Sequence, residues 1–377
     1  MIRLLVLVPK PTGISPGQRY RLEQWAPHLR SRHGIELHFD PFESPALTRL
    51  LYRPGHRLDK AAVLVRDTWR RRQALERASR YDAAVIYREM AMLGPAFYER
   101  LLVRKRVPMI VDFDDAIWMV GQGSINGIFS RLRFPGKTAA ICRLSSAVTV
   151  GNAYLADWAG QHNRRVTVVP TSIELGQYRV QSEPADAGDG RFIISWSGSH
   201  STLLHLETAR EAIERLAARH AVTLRVICDR PPARPFRGVE NVFVPWSEAN
   251  EALEVGRCHV GIMPLPDDRF TRGKCGLKAL QFMATGRPVI VSPVGVNRQI
   301  VVDGDNGLLA SSVDQWVSAF ERLRSSPETR QRLGLAGRRT VEQRFAATIA
   351  ADRFAGVVRE AISGAADVSR REPPDCR

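Results

Sequence analysis

Short apolar segments rich in β-branched residues alternate along this chain with segments of helical periodicity, and the alternation occurs in two successive series. It predicts a parallel β-sheet with helices on both faces, because each parallel strand pair needs a crossover connection. The first series covers residues 2–169 and the second covers residues 192–291. Between them, residues 181–190 are mostly small or polar, a composition that does not form a core. The sequence therefore predicts an α/β protein of two Rossmann-like domains joined by a short linker.

The predicted domains span residues 1–180 and 190–340. A last helical segment follows at 341–362, and residues 363–377 are predicted to form a disordered tail. A chain of 377 residues with 44% hydrophobic content is long enough for two buried cores. The predicted strands are 2–8, 35–39, 83–87, 108–112, 147–150, 166–169, 192–196, 222–228, 241–244, 259–263 and 289–291, and the predicted helices include 18–32, 203–218 and 248–255.

The cysteines and the apolar segments indicate the compartment. The five cysteines are scattered, odd in number and without metal-ligand spacing, which predicts reduced thiols. The apolar run at 4–8 is short and is closed by Pro9, so it is interpreted as a strand rather than a signal peptide. No stretch reaches the length of a transmembrane helix. We therefore expect a cytoplasmic protein, either soluble or peripheral on the inner face of the cell membrane.

Positive charge is concentrated in the first half of the chain. The net charge is +16, and residues 1–172 contain 27 Lys or Arg against 14 Asp or Glu. Such a surface attracts anionic lipid, an acidic acceptor or nucleic acid, and an ordinary solvated helix face explains it as well. Nucleic acid is the least favoured partner because no nucleic-acid-binding motif accompanies the arginines. We expect contact with an anionic membrane through the densest cluster, which consists of Arg66, Arg70, Arg71, Arg72, Arg77 and Arg80.

Residues 273–288 combine a loop of two lysines and two glycines with an amphipathic helix. Lys274 and Lys278 lie about one turn apart at the predicted start of this helix. A helix N-terminus offers unpaired N–H groups and a positive dipole end, both of which favour phosphate. A loop whose lysines are merely solvated explains the local pattern equally well. The motif predicts a phosphate or diphosphate site.

This segment resembles the donor-binding segment of family 4 of the retaining glycosyltransferases. There, a helix ending in E-A-M-A-x-G-x-P-V follows a phosphate-contacting loop, and residues 281–289 read Q-F-M-A-T-G-R-P-V. The two glutamates usual in the family are replaced by Gly273 and Gln281, so the chain resembles a subgroup with G-K-x-G-x-K-x-x-Q-x-M-A. The resemblance covers nearly the whole chain and implies the GT-B fold. It places the acceptor in the first domain, the nucleotide sugar in the second, and a last helix crossing back to the first.

Further segments of the second domain follow predicted strands. The loop at 197–202 offers N–H groups and hydroxyls to a phosphate, although the G-R-x-x-x-x-K pattern of the family is absent. Trp246 borders the nucleotide base by analogy, and a tryptophan of the core is an equal alternative. The predicted donor-binding residues are Gly198, Ser199, His200, Trp246, Lys274, Cys275, Gly276, Lys278 and Gln281.

In the first domain, residues 11–21 follow the first strand and open a helix. Gly13 and Gly17 allow the backbone to approach a ligand, and Arg19 and Arg21 add charge. This is not G-x-G-x-x-G, and a plain strand-to-helix loop is the alternative. In the family the corresponding loop approaches the donor phosphate and the acceptor, and S-P-x-x-R-x-R resembles its subgroup form.

Three acids, Asp112, Asp114 and Asp115, end a predicted strand. A metal site and a structural cap of the next loop are both alternatives for them. The resemblance places the segment beside the reacting sugar, where Asp114 or Asp112 would orient an acceptor hydroxyl or polarise its proton. Arg88 and Glu89 form a similar strand-end pair and are expected to position Asp114 or the acceptor.

We therefore expect a retaining, metal-independent transferase that moves a hexose or deoxyhexose from a nucleoside-diphosphate sugar to a hydroxyl acceptor. The acceptor is expected to be a polysaccharide, a lipid-linked glycan or another glycoconjugate, and no cofactor is expected. Lys274 and Lys278 would stabilise the departing diphosphate, while Asp112 and Asp114 would act on the acceptor side. The alternatives are a nucleotide-sugar epimerase on the same scaffold and a basic nucleic-acid-binding protein. The sequence does not identify the base, the sugar or the acceptor.

Overall fold

The computed structural model describes residues 1–51, 55–91, 94–119, 134, 136–182 and 190–371 of the chain. The chain divides into two compact units. The first unit consists of Met1–Pro170 and Thr348–Arg377, and the second is Thr171–Ala347. Each unit contains a six-stranded sheet in which the paired strands are parallel. Among the described helices, none combines the length and the apolarity needed to cross a bilayer.

The first unit has a doubly wound sheet with the strand order β2-β1-β3-β4-β5-β6. Its central strands are short, apolar and fully buried, as expected for a sheet that is covered on both faces. β2 lies on one side of β1 and β3 lies on the other, so the order of the strands reverses between β1 and β3. The carboxyl ends of β1 and β3 therefore form the topological switch point. The strands are β1 (Ile2–Val8), β2 (Ile35–Pro41), β3 (Ala83–Tyr87), β4 (Met109–Phe113), β5 (Ala147–Val150) and β6 (Val166–Val168).

The first helical segment of this unit is interrupted. One helix is predicted over 18–32, but the structure has a short helix Pro16–Gln18, a π-helical turn Arg19–Glu23 and a helix Ala26–His33. Pro27 explains the break, because it has no N–H group to continue the hydrogen-bond ladder of a preceding helix. The other helical segments before the second unit are Pro45–Leu51, Arg57–Glu76, Ala78–Arg80, Phe97–Arg104, Lys137–Leu144 and Ala153–Gly160.

The C-terminal helical region also differs from the sequence prediction. The predicted helix over 341–362 is divided between two helices: residues 341–344 end the helix Pro327–Arg344, and residues 347–362 lie in the helix Ala347–Arg371. They are separated where Ala346 pairs with Ile173 in an isolated parallel bridge, which draws the backbone out of the helix. The last helix continues past residue 363, the predicted start of the disordered tail, and residues 372–377 lie outside the described residues. From Thr348 onward it belongs to the first unit, where Phe354 packs on Trp25 with ring centroids 5.4 Å apart.

The second unit has the strand order β12-β11-β10-β7-β8-β9. The predicted helix over 203–218 is present as shorter segments. Its residues Leu206, Ala209, Ile213 and Leu216 are buried in the core with Trp196 and Trp316. The strands are β7 (Phe192–Ser197), β8 (Val222–Cys228), β9 (Glu240–Pro245), β10 (Val260–Met263), β11 (Val289–Val291) and β12 (Leu308–Leu309). The helical segments are His200–Thr202, Leu203–Leu206, Glu207–Ala209, Arg210–Ala217, Glu248–Gly256, Thr271–Gly273, Leu277–Ala284, Asn297–Ile300, Val313–Ser325 and Pro327–Arg344.

The boundary between the units lies at Pro170, before the predicted linker at 181–190. Residues 171–182 belong to the second unit because long-range contacts hold them there. Tyr178 accepts a hydrogen bond from Gln281 at 2.9 Å, and the backbone N–H of Gln181 donates to the carbonyl of Thr285 at 3.1 Å. Residues 183–189 of the predicted linker lie outside the described residues.

Candidate functional sites in the two units

In the first unit, the predicted residues gather at the carboxyl ends of β1, β3 and β4. The loop at 11–18 follows β1, Arg88 follows β3, and Asp114 follows β4. Because these strands are parallel neighbours, their carboxyl ends meet at one edge of the sheet. This edge includes the switch point, where open α/β sheets bind their ligands.

Asp112 and Arg21 form a buried ion pair beneath this edge. Arg21 Nε donates to Asp112 Oδ2 at 3.0 Å and Arg21 Nη2 to Oδ1 at 2.5 Å, and both side chains are fully buried. Thr149 also donates to Asp112 Oδ1, at 2.6 Å, and Arg21 Nη1 donates to the carbonyl of Val169. Asp114 or Asp112 was predicted to orient the acceptor hydroxyl, and Arg21 to add charge in a loop near the donor phosphate and the acceptor. In the structure Asp112 and Arg21 are partners of each other, and the pair joins the π-helical turn to the sheet.

The glycine loop is held internally. The N–H of Gly13 donates to Glu23 Oε2 at 2.9 Å, and Gln18 donates to Glu23 Oε1 at 2.6 Å. Arg19, predicted to add charge at a ligand, is buried and lies over the ring of Tyr20. The N–H of Gly13, which the sequence predicts to approach a ligand, is therefore already hydrogen-bonded to Glu23.

Asp114 lies at the edge of the sheet, next to Asp115. Its Oδ1 accepts hydrogen bonds from Tyr87 at 2.7 Å and from Arg88 Nη2 at 2.8 Å, and its side chain is 13% exposed. Burial by itself would raise the pKa of Asp114, but the charge of Arg88 and the hydrogen bonds from Tyr87 and Arg88 outweigh it, so this pKa lies below its usual value. The group is a carboxylate near neutral pH and accepts hydrogen bonds from hydroxyl groups.

Arg88 and Gly17 determine where Asp114 lies. Arg88 has a φ of 67°, an uncommon backbone conformation for a residue with a side chain, and its guanidinium also contacts Asp115 at 3.3 Å. A Cβ atom on Gly17 would lie 2.1 Å from the Tyr87 hydroxyl and 2.6 Å from Asp114 Oδ2. The loop after β1 reaches the carboxylate this closely because residue 17 is a glycine.

Glu89 is turned to a different partner. Its carboxylate lies 2.9 Å from the ammonium of Lys137, which is buried and also donates to the carbonyl of Ala91 at 2.5 Å. Of the predicted pair Arg88 and Glu89, the structure brings only Arg88 to Asp114. Lys137 was not singled out by the sequence, because it follows residues that carry no motif.

The predicted basic cluster is not uniform. Arg71 is fully buried, donates to the carbonyl of Val8 at 2.9 Å and contacts Asp40 at 3.2 Å. Burial lowers the pKa of Arg71 to about 10. Arg66 and Arg72 are exposed. The buried member therefore belongs to the core, and only the exposed members are available to a partner.

In the second unit, Lys278 connects the two predicted phosphate-binding segments. Its Nζ lies 4.2 Å from the centroid of the Trp196 ring and donates to Thr202 Oγ1 at 3.4 Å. Burial, followed by the charge of Lys274, lowers the pKa of Lys278 to about 7. Lys278 is the second residue of the helix Leu277–Ala284, so the ammonium, the start of the helix and the loop after β7 lie together.

The loop that carries Lys274 is fixed by Asp268. Asp268 Oδ1 accepts from the N–H groups of Phe270 and Thr271, both at 2.8 Å. The ammonium of Lys274 lies 4.5 Å from the centroid of the Phe270 ring. Gly276, with a φ of 73°, precedes the helix, and a Cβ there would lie 2.2 Å from a methyl group of Ile300. Cys275, which lies between Lys274 and Gly276 in the sequence, is buried.

The loop after β7 packs on Trp196 and on a neighbouring strand end. A Cβ on Gly198 would lie 2.4 Å from the Trp196 ring. Ser199 caps the turn His200–Thr202, and the His200 ring and backbone N–H both contact Asp229, each at 2.6 Å. Burial would raise the pKa of Asp229, but the hydrogen bonds from His200 outweigh it and lower this pKa. Asp229 follows β8, a strand-end position that sequence reasoning could have examined and did not.

His205 is a second residue that the sequence did not indicate. It is buried in the helix Leu203–Leu206, and its Nδ1 has no hydrogen-bond partner among the described residues. Burial, followed by the charges of Lys278 and Lys274, lowers the pKa of His205 to about 4. A neutral imidazole therefore lies within the electrostatic reach of both lysines.

Two predicted donor-binding residues have partners inside the unit. Trp246 donates from its indole nitrogen to Glu251 at 2.9 Å, which fixes it against the helix Glu248–Gly256. Gln281 is buried and donates to Tyr178 at 2.9 Å. Gln281 thus connects the helix Leu277–Ala284 to residues 171–182. Within the part of the chain that the structure describes, no group of three or more His, Cys, Asp and Glu has the arrangement of a metal site.

Solved structures define the fold class. Sucrose-phosphate synthase from Thermosynechococcus elongatus superposes with a TM-score of 0.67 at 16% identity, covering 97% of this chain and all of that one. Anabaena HepE in complex with UDP and glucose superposes with a TM-score of 0.65 at 14% identity, covering 95% of this chain and all of that one. The predicted GT-B fold, with its two parallel α/β sheets, is therefore confirmed.

Sequence comparison identifies the family that the second unit matches. Residues 191–326 match the family described as glycosyl transferases group 1. A D-inositol 3-phosphate glycosyltransferase from Stackebrandtia nassauensis is 34% identical over 138 residues. This match covers 36% of the present chain and 30% of the length of that relative.

Proposed function

We propose that the chain is a glycosyltransferase that moves a sugar from a nucleoside-diphosphate sugar to a hydroxyl acceptor. The observation that carries the proposal is the position of Lys278 beside Trp196 and Thr202 at the start of a helix. The match of residues 191–326 to group 1 glycosyl transferases and the UDP bound to Anabaena HepE support the same activity.

The donor diphosphate is proposed to bind between the loop after β7 and the start of the helix Leu277–Ala284. Among the described residues, Lys278 has no carboxylate partner. Its burial also removes part of the hydration of the ammonium. A diphosphate would supply the missing negative charge, and the helix N-terminus would add N–H donors. The family pattern G-R-x-x-x-x-K is absent here, and Lys278 contacts the same loop from a later helix of the unit.

Catalysis would be chiefly electrostatic and would retain the anomeric configuration. Charge grows on the diphosphate as the glycosidic bond breaks, and a fixed ammonium lowers the energy of that state without a metal ion or a cofactor. In the first unit, Asp114 would accept a hydrogen bond from the acceptor hydroxyl and so orient its oxygen. The lowered pKa of Asp114 suits this role, because the group stays ionised.

The acceptor is proposed to be a glycan or a lipid-linked glycan, and the protein is proposed to act in the cytoplasm. The four described cysteines, Cys142, Cys228, Cys258 and Cys275, are buried and form no disulfide, which suits a reducing compartment. No acidic acceptor or nucleic acid is part of the proposal.

The test is turnover of the whole chain with a panel of nucleoside-diphosphate sugars, each with and without glycan and lipid-linked acceptors. The proposal predicts release of nucleoside diphosphate that depends on the acceptor, persists in excess chelator, and gives a product with the anomeric configuration of the donor by proton NMR. Conversion of the donor sugar without any acceptor would identify an epimerase instead. Turnover that chelator abolishes and a divalent ion restores would overturn the metal-independent mechanism.

A further inference from the structure

The long helix of the first unit, Arg57–Glu76, presents an apolar stripe to solvent. Leu58 is 86% exposed, Val65 is 70% exposed and Trp69 is 61% exposed. Their spacings of seven and four residues place all three within an arc of about 40° on a helix of 3.6 residues per turn. Single exposed apolar residues are ordinary, but three large ones on one face of one helix are not.

The opposite face of the helix is fixed in the core. Asp67 is fully buried and accepts from the N–H of Ser44 at 2.9 Å, and Arg71 is buried against Asp40. Ala74 and Leu75 are also buried. These contacts set the rotation of the helix about its axis, so the stripe cannot turn inward to find cover in its own unit.

Exposed arginines lie beside the stripe. The side chain of Arg66 is 54% exposed and that of Arg72 is 67% exposed. An interfacial helix that binds an anionic bilayer has this composition, with a tryptophan and aliphatic residues on the inserted face and basic residues at its borders. Exposed basic side chains are attracted to the negative surface potential of an anionic membrane.

We infer that this face of the helix docks on an anionic lipid bilayer. Leu58, Val65 and Trp69 enter the boundary between headgroups and acyl chains, and Arg66 and Arg72 contact the headgroups. The binding is peripheral. The inference does not depend on the donor site, which lies in the second unit.

The test is co-sedimentation of the full chain with vesicles of phosphatidylcholine alone or mixed with phosphatidylglycerol. The chain is expected to bind the mixed vesicles and to dissociate as salt is raised, because exposed charges are screened within about 8–10 Å at physiological ionic strength. The double variant Val65→Ser/Trp69→Ser should lose roughly tenfold or more in partitioning, since each apolar side chain transferred from water contributes on that scale. The matched control is Leu253→Ser/Leu335→Ser, which removes two exposed apolar side chains from the second unit.

The control should bind vesicles as the parent does, and all variants should keep the thermal stability of the parent. Equal binding to neutral and mixed vesicles, no binding by the parent, or a double variant equal to the parent would each overturn the inference. Light scattering without lipid supplies a further check. If the parent is a dimer and the double variant is a monomer, the stripe binds a second copy of the chain rather than a membrane.

Discussion

The ammonium of Lys278 lies 4.2 Å from the centre of the Trp196 ring, and a threonine hydroxyl rather than a carboxylate is its hydrogen-bond partner. The indole face attracts the cation without neutralising it. Lys278 lies at the start of a helix, and Trp196 lies at the end of β7. The proposed diphosphate site is located between these two elements. An ammonium in this position is available to bind an anion from solution.

This arrangement predicts a pH-dependent affinity for the donor. The pKa of Lys278 is about 7 without ligand, and a bound diphosphate should raise it, so binding above pH 7 requires proton uptake. The affinity should be constant below about pH 7 and should fall by up to roughly tenfold per pH unit above it. Calorimetric titration with the nucleoside-diphosphate sugar found by the turnover screen measures this. In Lys278→Met the affinity should be lower and the slope absent, and equal slopes in parent and variant would contradict the account.

Asp112→Asn should destabilise the first unit rather than impair chemistry directly. The change leaves the guanidinium of Arg21 buried without its carboxylate, and loss of one member of such a pair costs about 3–5 kcal/mol. Denaturant unfolding measures the free energy. Asp157→Asn, at an exposed aspartate on the helix Ala153–Gly160, is the control and should change little. If Asp112→Asn kept the stability of the parent and lost only turnover, Asp112 would be a catalytic group after all.

Asp114→Asn should have the reverse profile. Because Asp114 is proposed to act on the acceptor hydroxyl, kcat should fall by roughly 100-fold or more while the affinity for the donor stays within a factor of about two. Steady-state kinetics and donor titration separate the two effects. A variant with normal kcat would remove Asp114 from the mechanism.

Gly17→Ala tests the geometry around that carboxylate. The added Cβ would lie 2.1 Å from the Tyr87 hydroxyl and 2.6 Å from Asp114 Oδ2, so one of them must move. A displacement on the scale of 1 Å lowers turnover by roughly 100-fold. Gly160→Ala is the matched control, since its Cβ would meet nothing within 4 Å. Both variants should bind the donor normally, and comparable turnover in the two would show that the close approach of Gly17 has no catalytic importance.

The strand series and the positions of the strand-end residues could be predicted because they depend on local patterns. Val85 and Ile110 are in predicted strands and are fully buried, and Asp114 follows its strand as expected. Likewise, Lys278 and the loop at 197–202 were predicted separately to contact phosphate, and the structure brings the lysine and the loop together.

Long-range pairing could not be predicted in this way. The carboxylate of Asp112 is engaged by Arg21, 91 positions away, and no local pattern distinguishes it from Asp114. The bridge between Ile173 and Ala346 is also a long-range pairing. It lies within the second unit, which starts before the predicted linker, and it separates the two C-terminal helices. His205 was missed because a single histidine among leucines resembles a core residue until its neighbours are known.

The most direct measurement of the central claim is the affinity of the full chain for UDP, GDP, ADP, dTDP and CDP, compared among the parent, Lys274→Ala, Lys278→Ala and Lys105→Ala. The account predicts that at least one nucleoside diphosphate binds the parent. Each donor-site variant should lose about 1.5–3 kcal/mol of binding free energy, the typical contribution of a hydrogen bond to a charged group. Lys105→Ala, at an exposed lysine of the first unit, should bind as the parent does. Unchanged affinity in both donor-site variants, or no binding of any of the five diphosphates, would contradict the account.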